Sequence, residues 1–165
     1  MRKICIGIFL SMLICIFSFV VYAWFHKNSN SKLFVGVEEL NLDAIDINMR
    51  RLSDHINYSK ETLLLFINTD CDYCIDEISY INSNIRRFRN RYNLILISFE
   101  NKNTLKVFAN KNNLHSFFVI SDENFQLIKR YNVSGFPTLF LFSKNGKIII
   151  AHNGIAISIL KKLIS

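Results

Sequence analysis

Phe66-Ile-Asn-Thr-Asp-Cys71-Asp-Tyr-Cys74-Ile-Asp-Glu77 is the stretch around which this chain is organised. The apolar run Leu63 to Ile67 leads into it and reads as a buried strand, closed by the polar Asn68-Thr69-Asp70. After the two cysteines, Ile75, Ile78, Ile81, Ile85 and Phe88 recur at helical period. The C-x-x-C pair therefore sits where a strand hands over to the first turn of a helix. First-turn N–H groups have no partners within a helix and point at whatever lies there, so they favour a thiolate at Cys71. Cys74 lies three residues on, on the same face, and is close enough to close a small disulfide ring.

The other cysteines have a different setting. Cys5 and Cys15 lie in an apolar leader, where they read as small hydrophobes. Leu13-Ile14 before Cys15 lacks the small residue that lipoprotein processing needs, which argues against lipid attachment. Cys71 and Cys74 are the only pair left, too few for a structural disulfide framework.

Ile4 to Phe25 runs for 22 residues without a charge, after Arg2 and Lys3 and with Tyr22 and Trp24 near its end. That length spans a bilayer core as a helix, and aromatic residues suit the interface. Residues 1–25 are thus expected to be a signal-anchor whose basic start stays in the cytoplasm. A cleaved signal peptide, cut after Val21-Tyr22-Ala23, is the alternative. Both place the remainder outside the cytoplasm, on the periplasmic side of the cell membrane or secreted. Residues 26–32, polar and Ser/Asn-rich, read as a tether, and 33–165 as one domain.

The chain carries a net charge of +7. Without residues 1–25, 18 basic residues face 13 acidic ones, a balance too mild to imply nucleic acid. The run Arg86-Arg-Phe-Arg89-Asn-Arg91 falls at a helix end, where basic residues complement the dipole.

Beyond the dithiol, strands are expected at 94–97, 117–120, 139–142 and 148–151, and helices at 104–112, 124–131 and 155–164. Lys144-Asn-Gly-Lys147 signals a hairpin with a tight two-residue turn. Residues 44–50 alternate as a strand, followed by a helical turn at 52–56, although Leu42, Ile45, Met49, Leu52 and Ile56 also fit one helix face. Strands alternating with helices and ending in a hairpin make a mixed α/β domain with a central sheet. The sole proline, Pro137, enters a buried strand, which suits a special backbone geometry such as a cis bond; an ordinary turn proline is the plainer reading.

The strand, the C-x-x-C at a helix start and Gly135-Phe-Pro-Thr-Leu-Phe before the Asn-Gly hairpin together resemble a thioredoxin-fold protein. The added strand and helices between 94 and 131, with the anchor, resemble the TlpA/ResA branch of membrane-tethered thiol–disulfide oxidoreductases. The resemblance covers residues 33–165. It implies a thioredoxin-like fold, a central mixed sheet flanked by helices, preceded by one transmembrane helix. It also implies Cys71 as attacking thiol, Cys74 as resolving thiol and Pro137 as a cis-proline beside them. Glu77, at C-x-x-C-x-x-E, matches an acid near the dithiol; a surface acid favouring the helix N-terminus is its other reading.

No cofactor beyond a redox-active Cys71–Cys74 disulfide is implied. The partners would be protein disulfides and a membrane thiol electron carrier. Asp70 replaces the tryptophan that usually precedes the first cysteine. Leu65 replaces the buried aspartate of cytoplasmic thioredoxins, so Cys74 needs another proton carrier, Glu77 or water. Asp70, Asp72, Asp76 and Glu77 disfavour thiolate, which lowers the potential and favours a reductase. Two rival readings use the same cysteines: a copper or zinc module with His115 or His152, and an interaction domain with a structural disulfide. A peroxidase of the same fold is a weaker match, because it would use one cysteine in a Thr/Ser-rich turn.

Overall fold

A computed structural model describes Met12, residues 14–21, Leu40 and residues 43–165. The chain divides into two compact units, Met1–Val35 and Gly36–Ser165. In the first, Met12 and residues 14–21 are helical. No helix among the described residues is long and apolar enough to cross a membrane. Most of the expected anchor, the cleavage site after Ala23 and the whole tether lie outside the described residues.

The second unit is built on a five-stranded sheet: β1 (Glu61–Phe66), β2 (Tyr92–Ser98), β3 (Phe118–Ser121), β4 (Thr138–Phe142) and β5 (Ile148–Asn153). The strand order is β3-β2-β1-β4-β5. β1 pairs parallel with β2 and antiparallel with β4; β2–β3 is parallel and β4–β5 antiparallel. The helices are α1 (Asp72–Ser83), α2 (Ile85–Arg91), α3 (Lys102–Lys111), α4 (Gln126–Arg130) and α5 (Ile157–Leu163).

β1 lies at the centre, which explains its unbroken apolar sequence: a strand covered on both faces has no polar side to show. Leu63, Leu65 and Ile67 join Ile78, Ile81, Phe88 and Leu160 in one core layer. Leu64 and Phe66 point the other way. There Phe66, Tyr131 and Phe140 meet with ring centroids 5.5–5.9 Å apart. Each such side chain contributes about 1.5–3 kcal/mol when withdrawn from water. The site at the end of β1 is therefore mounted on the best-buried part of the domain.

Three expectations need correcting. Residues 44–50 are not a strand. Asp46, wholly buried, sits in a closed loop, and its carboxylate accepts the N–H groups of Asn48 and Arg50 at 2.9 and 2.8 Å and Arg50 Nε at 2.7 Å. Strand alternation fails there because Ile47 alone turns inward, while Ile45 and Met49 are exposed. Among the described residues its strand-like pairing is a single bridge from Ile45 to Arg51, and the helical turn that follows is short, Leu52–Asp54.

The long helix expected from Ile75 to Phe88 is broken at Asn84, whose side chain donates to the Tyr80 carbonyl. That competing bond ends α1, and α2 restarts with Phe88 still facing the core. In the hairpin only Gly146 takes a positive φ, 77°, and its N–H bonds the Ser143 carbonyl while Ser143 N–H bonds Lys147. The turn is longer than two residues, with glycine in the position that needs left-handed backbone.

The strands and helices expected after α2 are all present, with ends within two residues of those read from the sequence. The arginine run forms the exposed face of α2, and Arg91 reaches the Leu163 carbonyl at 2.8 Å. α4 begins after Phe125, whose φ of 56° is left-handed. That backbone costs a bulky residue about 1–2 kcal/mol. Asp122 supplies the cap, accepting the N–H groups of Gln126 and Ile128 at 2.8 and 2.9 Å.

Candidate active site

β1 ends at Phe66, and its chain continues through Asn68, whose side chain accepts the Asp70 N–H at 2.8 Å in a tight polar turn. That turn delivers Cys71 to the N-cap of α1 with extended backbone. Its Sγ accepts the Cys74 N–H at 3.3 Å. The sulfur thus takes the place of a capping oxygen, and one orphan first-turn donor is spent on it. Cys71 is partly exposed, whereas Cys74 is fully buried. Both cysteines are free. Burial holds the Cys74 thiol well above the ordinary cysteine range, and the neighbouring Cys71 and Glu77 push it further the same way. One sulfur can meet a substrate; the other waits behind it as a neutral thiol.

The Phe136–Pro137 peptide bond is cis. Pro137 is buried beside the start of β4, where Thr138 pairs with Phe66, the last residue of β1. The Pro137 carbonyl accepts the Gly154 N–H at 2.8 Å, and Thr138 Oγ1 bonds the Gly135 carbonyl at 2.7 Å. Gly135 itself lies against Asn153, because a Cβ there would stand 3.2 Å from Asn153 Oδ1. Cys71, Cys74 and Pro137 are therefore carried by the adjacent ends of β1 and β4.

Glu77 is buried, only 1% exposed, which removes its reading as a surface acid. Its Oε1 accepts the N–H of Ala156, just before α5, and Oε2 meets no donor among the described residues. Desolvation raises its carboxyl to about 7, against the opposing pull of the Ala156 bond. Glu77 lies three residues after Cys74 on α1, close enough to act on the buried thiol electrostatically. A carboxyl that titrates near neutrality beside a buried thiol is suited to taking and returning a proton. Leu65, at the aspartate position of cytoplasmic thioredoxins, is buried in the core.

Glu100 is a further residue of the site that no sequence motif marks. Its Oε1 accepts both the N–H and hydroxyl of Thr69 at 2.9 Å, and its other oxygen meets the Ser98 hydroxyl. It ties the turn before Cys71 to the end of β2. An acid alone in a loop sequence gives no sign of such a brace; only the pairing of Phe66 with Ile97 brings the two loops together.

The distant histidines do not join the cysteines. His115 lines a cleft with Arg50, His55 and Lys60 at the start of β2 and β3, the end of the sheet away from Cys71. His152 bonds the Ile155 carbonyl at 3.1 Å. Among the described residues no group of three or more His, Cys, Asp or Glu could hold a metal ion.

Residues 37–151 match the AhpC/TSA family. The thiol-disulfide oxidoreductase ResA of Bacillus subtilis is 26% identical over 147 residues, covering 88% of this chain and 81% of its own. ResA of Bacillus anthracis is 27% identical over 134 residues, covering 79% and 76%. Among solved structures, a candidate thiol:disulfide interchange protein DsbE from Chlorobium tepidum superposes with a TM-score of 0.66 at 21% identity, over 78% of this chain and 94% of that one. StoA from Bacillus subtilis gives 0.59 at 21% identity, over 75% and 96%. These superpositions bear on the fold, which is thioredoxin-like. A dithiol at a helix N-cap, a cis-proline at the neighbouring strand and a sequence match over most of the domain agree: the chain belongs to the AhpC/TSA family of thioredoxin-fold proteins.

Proposed function

We propose that the chain is an extracytoplasmic, membrane-tethered thiol–disulfide oxidoreductase that reduces protein disulfides through Cys71 and Cys74. The observation that carries this reading is the asymmetric dithiol: a partly exposed sulfur capped by a helix N–H, backed by a buried one, beside a cis-proline. The curated relatives bear the name thiol-disulfide oxidoreductase. The uncharged run Ile4–Phe25 supports the tether, and a membrane thiol carrier is the electron donor that such a placement calls for.

The Cys71 thiolate attacks one sulfur of the substrate disulfide, breaking that bond and expelling the other sulfur as a thiolate that takes up a proton. Cys71 is then joined to the substrate in a mixed disulfide. Cys74 must lose its proton before it can act, and Glu77 Oε2, which has no donor of its own, receives it. The Cys74 thiolate attacks Cys71 Sγ and releases the second substrate thiol. Two electrons have passed to the substrate, and the protein holds a Cys71–Cys74 disulfide for the carrier to reduce. The cis Phe136–Pro137 turn stands beside the dithiol, and because the Pro137 carbonyl is taken by Gly154, the backbone offered to the substrate is that of the turn before it.

The direction rests on electrostatics. Asp70, Asp72 and Asp76 are exposed on the dithiol side, and acids so placed favour, by like-charge repulsion, the state of the couple that carries less negative charge. A destabilised reduced form gives up its electrons more readily.

The reduction potential of the Cys71/Cys74 couple tests this reading. A reversible two-electron couple near or below about −250 mV is expected for a reductase. A value near about −120 mV would make the protein an oxidant, and the absence of any reversible couple would overturn the oxidoreductase reading.

A further inference from the structure

Three phenylalanines from three separate loops meet on the dithiol side of the sheet. Phe99 follows β2, Phe125 follows β3 and Phe136 precedes Pro137. Phe99 and Phe125 stack with centroids 5.4 Å apart and planes 18° apart, and Phe136 leans on Phe99 at 5.7 Å. Phe125 stays 44% exposed, and Phe99 and Phe136 are only partly covered. The ring of Phe125 is held out on left-handed backbone that asparagine or glycine would adopt more easily. Neither core packing nor local backbone preference accounts for a phenylalanine there. An aromatic surface kept against both pressures is accounted for by something that lands on it.

The position of the cluster says what lands. Phe136 adjoins the cis-proline, and Phe99 adjoins Glu100, which braces Thr69 two residues before Cys71. A polypeptide whose disulfide reached Cys71 would extend over these rings. The border is acidic: Ser121 Oγ lies 2.8 Å from the Glu100 carbonyl and 3.0 Å from Glu123 Oε1, so Glu123 stands beside the platform. Asp70 and Asp72 are exposed on the dithiol side. The cations of α4, Lys129 and Arg130, come at its far end from Phe125.

We infer that Phe99, Phe125 and Phe136 form a docking platform for substrate polypeptide, taking a large apolar side chain, aromatic by preference, that neighbours lysine or arginine close to the substrate's disulfide. This rests on the oxidoreductase reading and gives it a substrate class. Aromatic stacking supplies the contact and the acidic border selects the flanking charge. The residue before Cys71 is the polar Asp70, so the apolar contact is made from the cis-proline side instead.

The test uses the pre-reduced full chain and three synthetic peptides, each closed by one internal disulfide. They carry next to the cysteine Phe flanked by Lys, Ala flanked by Lys, or Phe flanked by Glu. The native chain should be oxidised by the first peptide at least tenfold faster than by the other two. In Phe125→Asn, which suits the left-handed backbone, the Phe-to-Ala ratio should fall below threefold while the melting temperature holds or rises. In Glu123→Lys the Lys-to-Glu ratio should fall while the Phe-to-Ala ratio persists. Equal rates with all three peptides in the native chain, or an undiminished Phe-to-Ala ratio in Phe125→Asn, would overturn the platform. Bis(2-hydroxyethyl) disulfide separates the two levels: if it too fails to oxidise the native dithiol, the oxidoreductase reading falls, and the platform with it.

Discussion

The two most deeply buried acidic side chains among the described residues, Asp46 and Glu77, are treated in opposite ways. Asp46 is 0% exposed and Glu77 1%. Around Asp46, desolvation is outweighed by two backbone N–H groups and the Arg50 guanidinium, which also forms an ion pair with it, and the carboxyl falls below its usual range. Glu77 has one backbone donor and no cation, and desolvation wins. Burial sets the size of the electrostatic cost; the count of donors decides whether the charge survives it. Asp46 is a permanent anion that shapes a loop. Glu77 is a carboxyl left free to change its charge, three residues from the buried Cys74 thiol.

The largest break in this contrast should come from Glu77→Gln. It keeps the oxygen that meets Ala156 and abolishes the proton acceptor. Attack of Cys74 on the mixed disulfide should slow by about 100-fold, within the usual range for a positioned acid–base group. Rapid quenching and mass measurement of the substrate adduct would follow it. Asp46→Asn should leave that step within about twofold; an equal slowing in both variants would mean that Glu77 acts only through structure.

Stability should show the reverse. Asp46→Ala strands the N–H groups of Asn48 and Arg50 and should cost about 2–3 kcal/mol, read from denaturant unfolding of the reduced protein.

The smallest effect separates the two carboxyls by sign. Between about pH 4.5 and pH 7 the native state holds a proton on Glu77 that the unfolded chain has released. Its contribution to stability therefore falls as pH rises through that window. Asp46 contributes in full above its ordinary value of 3.8 and loses that contribution as pH falls below it. Melting temperature against pH should flatten above pH 4.5 in Glu77→Gln and stay sloped in the Asp46 variants.

The same contrast shows what a sequence carries. β1, β2 and β4 could be read because strands buried on both faces must be apolar throughout, and the dithiol because its spacing is itself the chemistry. Asp46 could not, because the Ile45–Ile47–Met49 alternation imitates a strand, and the donors that fold the loop are backbone groups with no residue letter. Glu77 was visible by position, yet its burial depends on Ala156, 79 residues further on. The break at Asn84 was hidden for a similar reason: the apolar period runs through it, and a single side-chain bond to Tyr80 interrupts the helix. Phe99, Phe125 and Phe136 stand far apart in the chain and become a surface only when the loops after β2 and β3 and the loop before β4 converge.

On the proposed mechanism, the bond between Glu77 and Ala156 also ties the C-terminal helix to the redox chemistry. Leu160 and Ile164 press that end of the chain into the core, and Ala156 N–H is delivered to the carboxylate as a result. A protein engineer who loosened residues 157–163, by truncation or by a fusion that pulls on them, would let water reach Glu77 and return it towards an ordinary surface acid. The cysteines would be untouched and their sequence unchanged, but the proposed proton relay would be detuned. The helix furthest along the chain from the C-x-x-C is the stopper that keeps its acid dry.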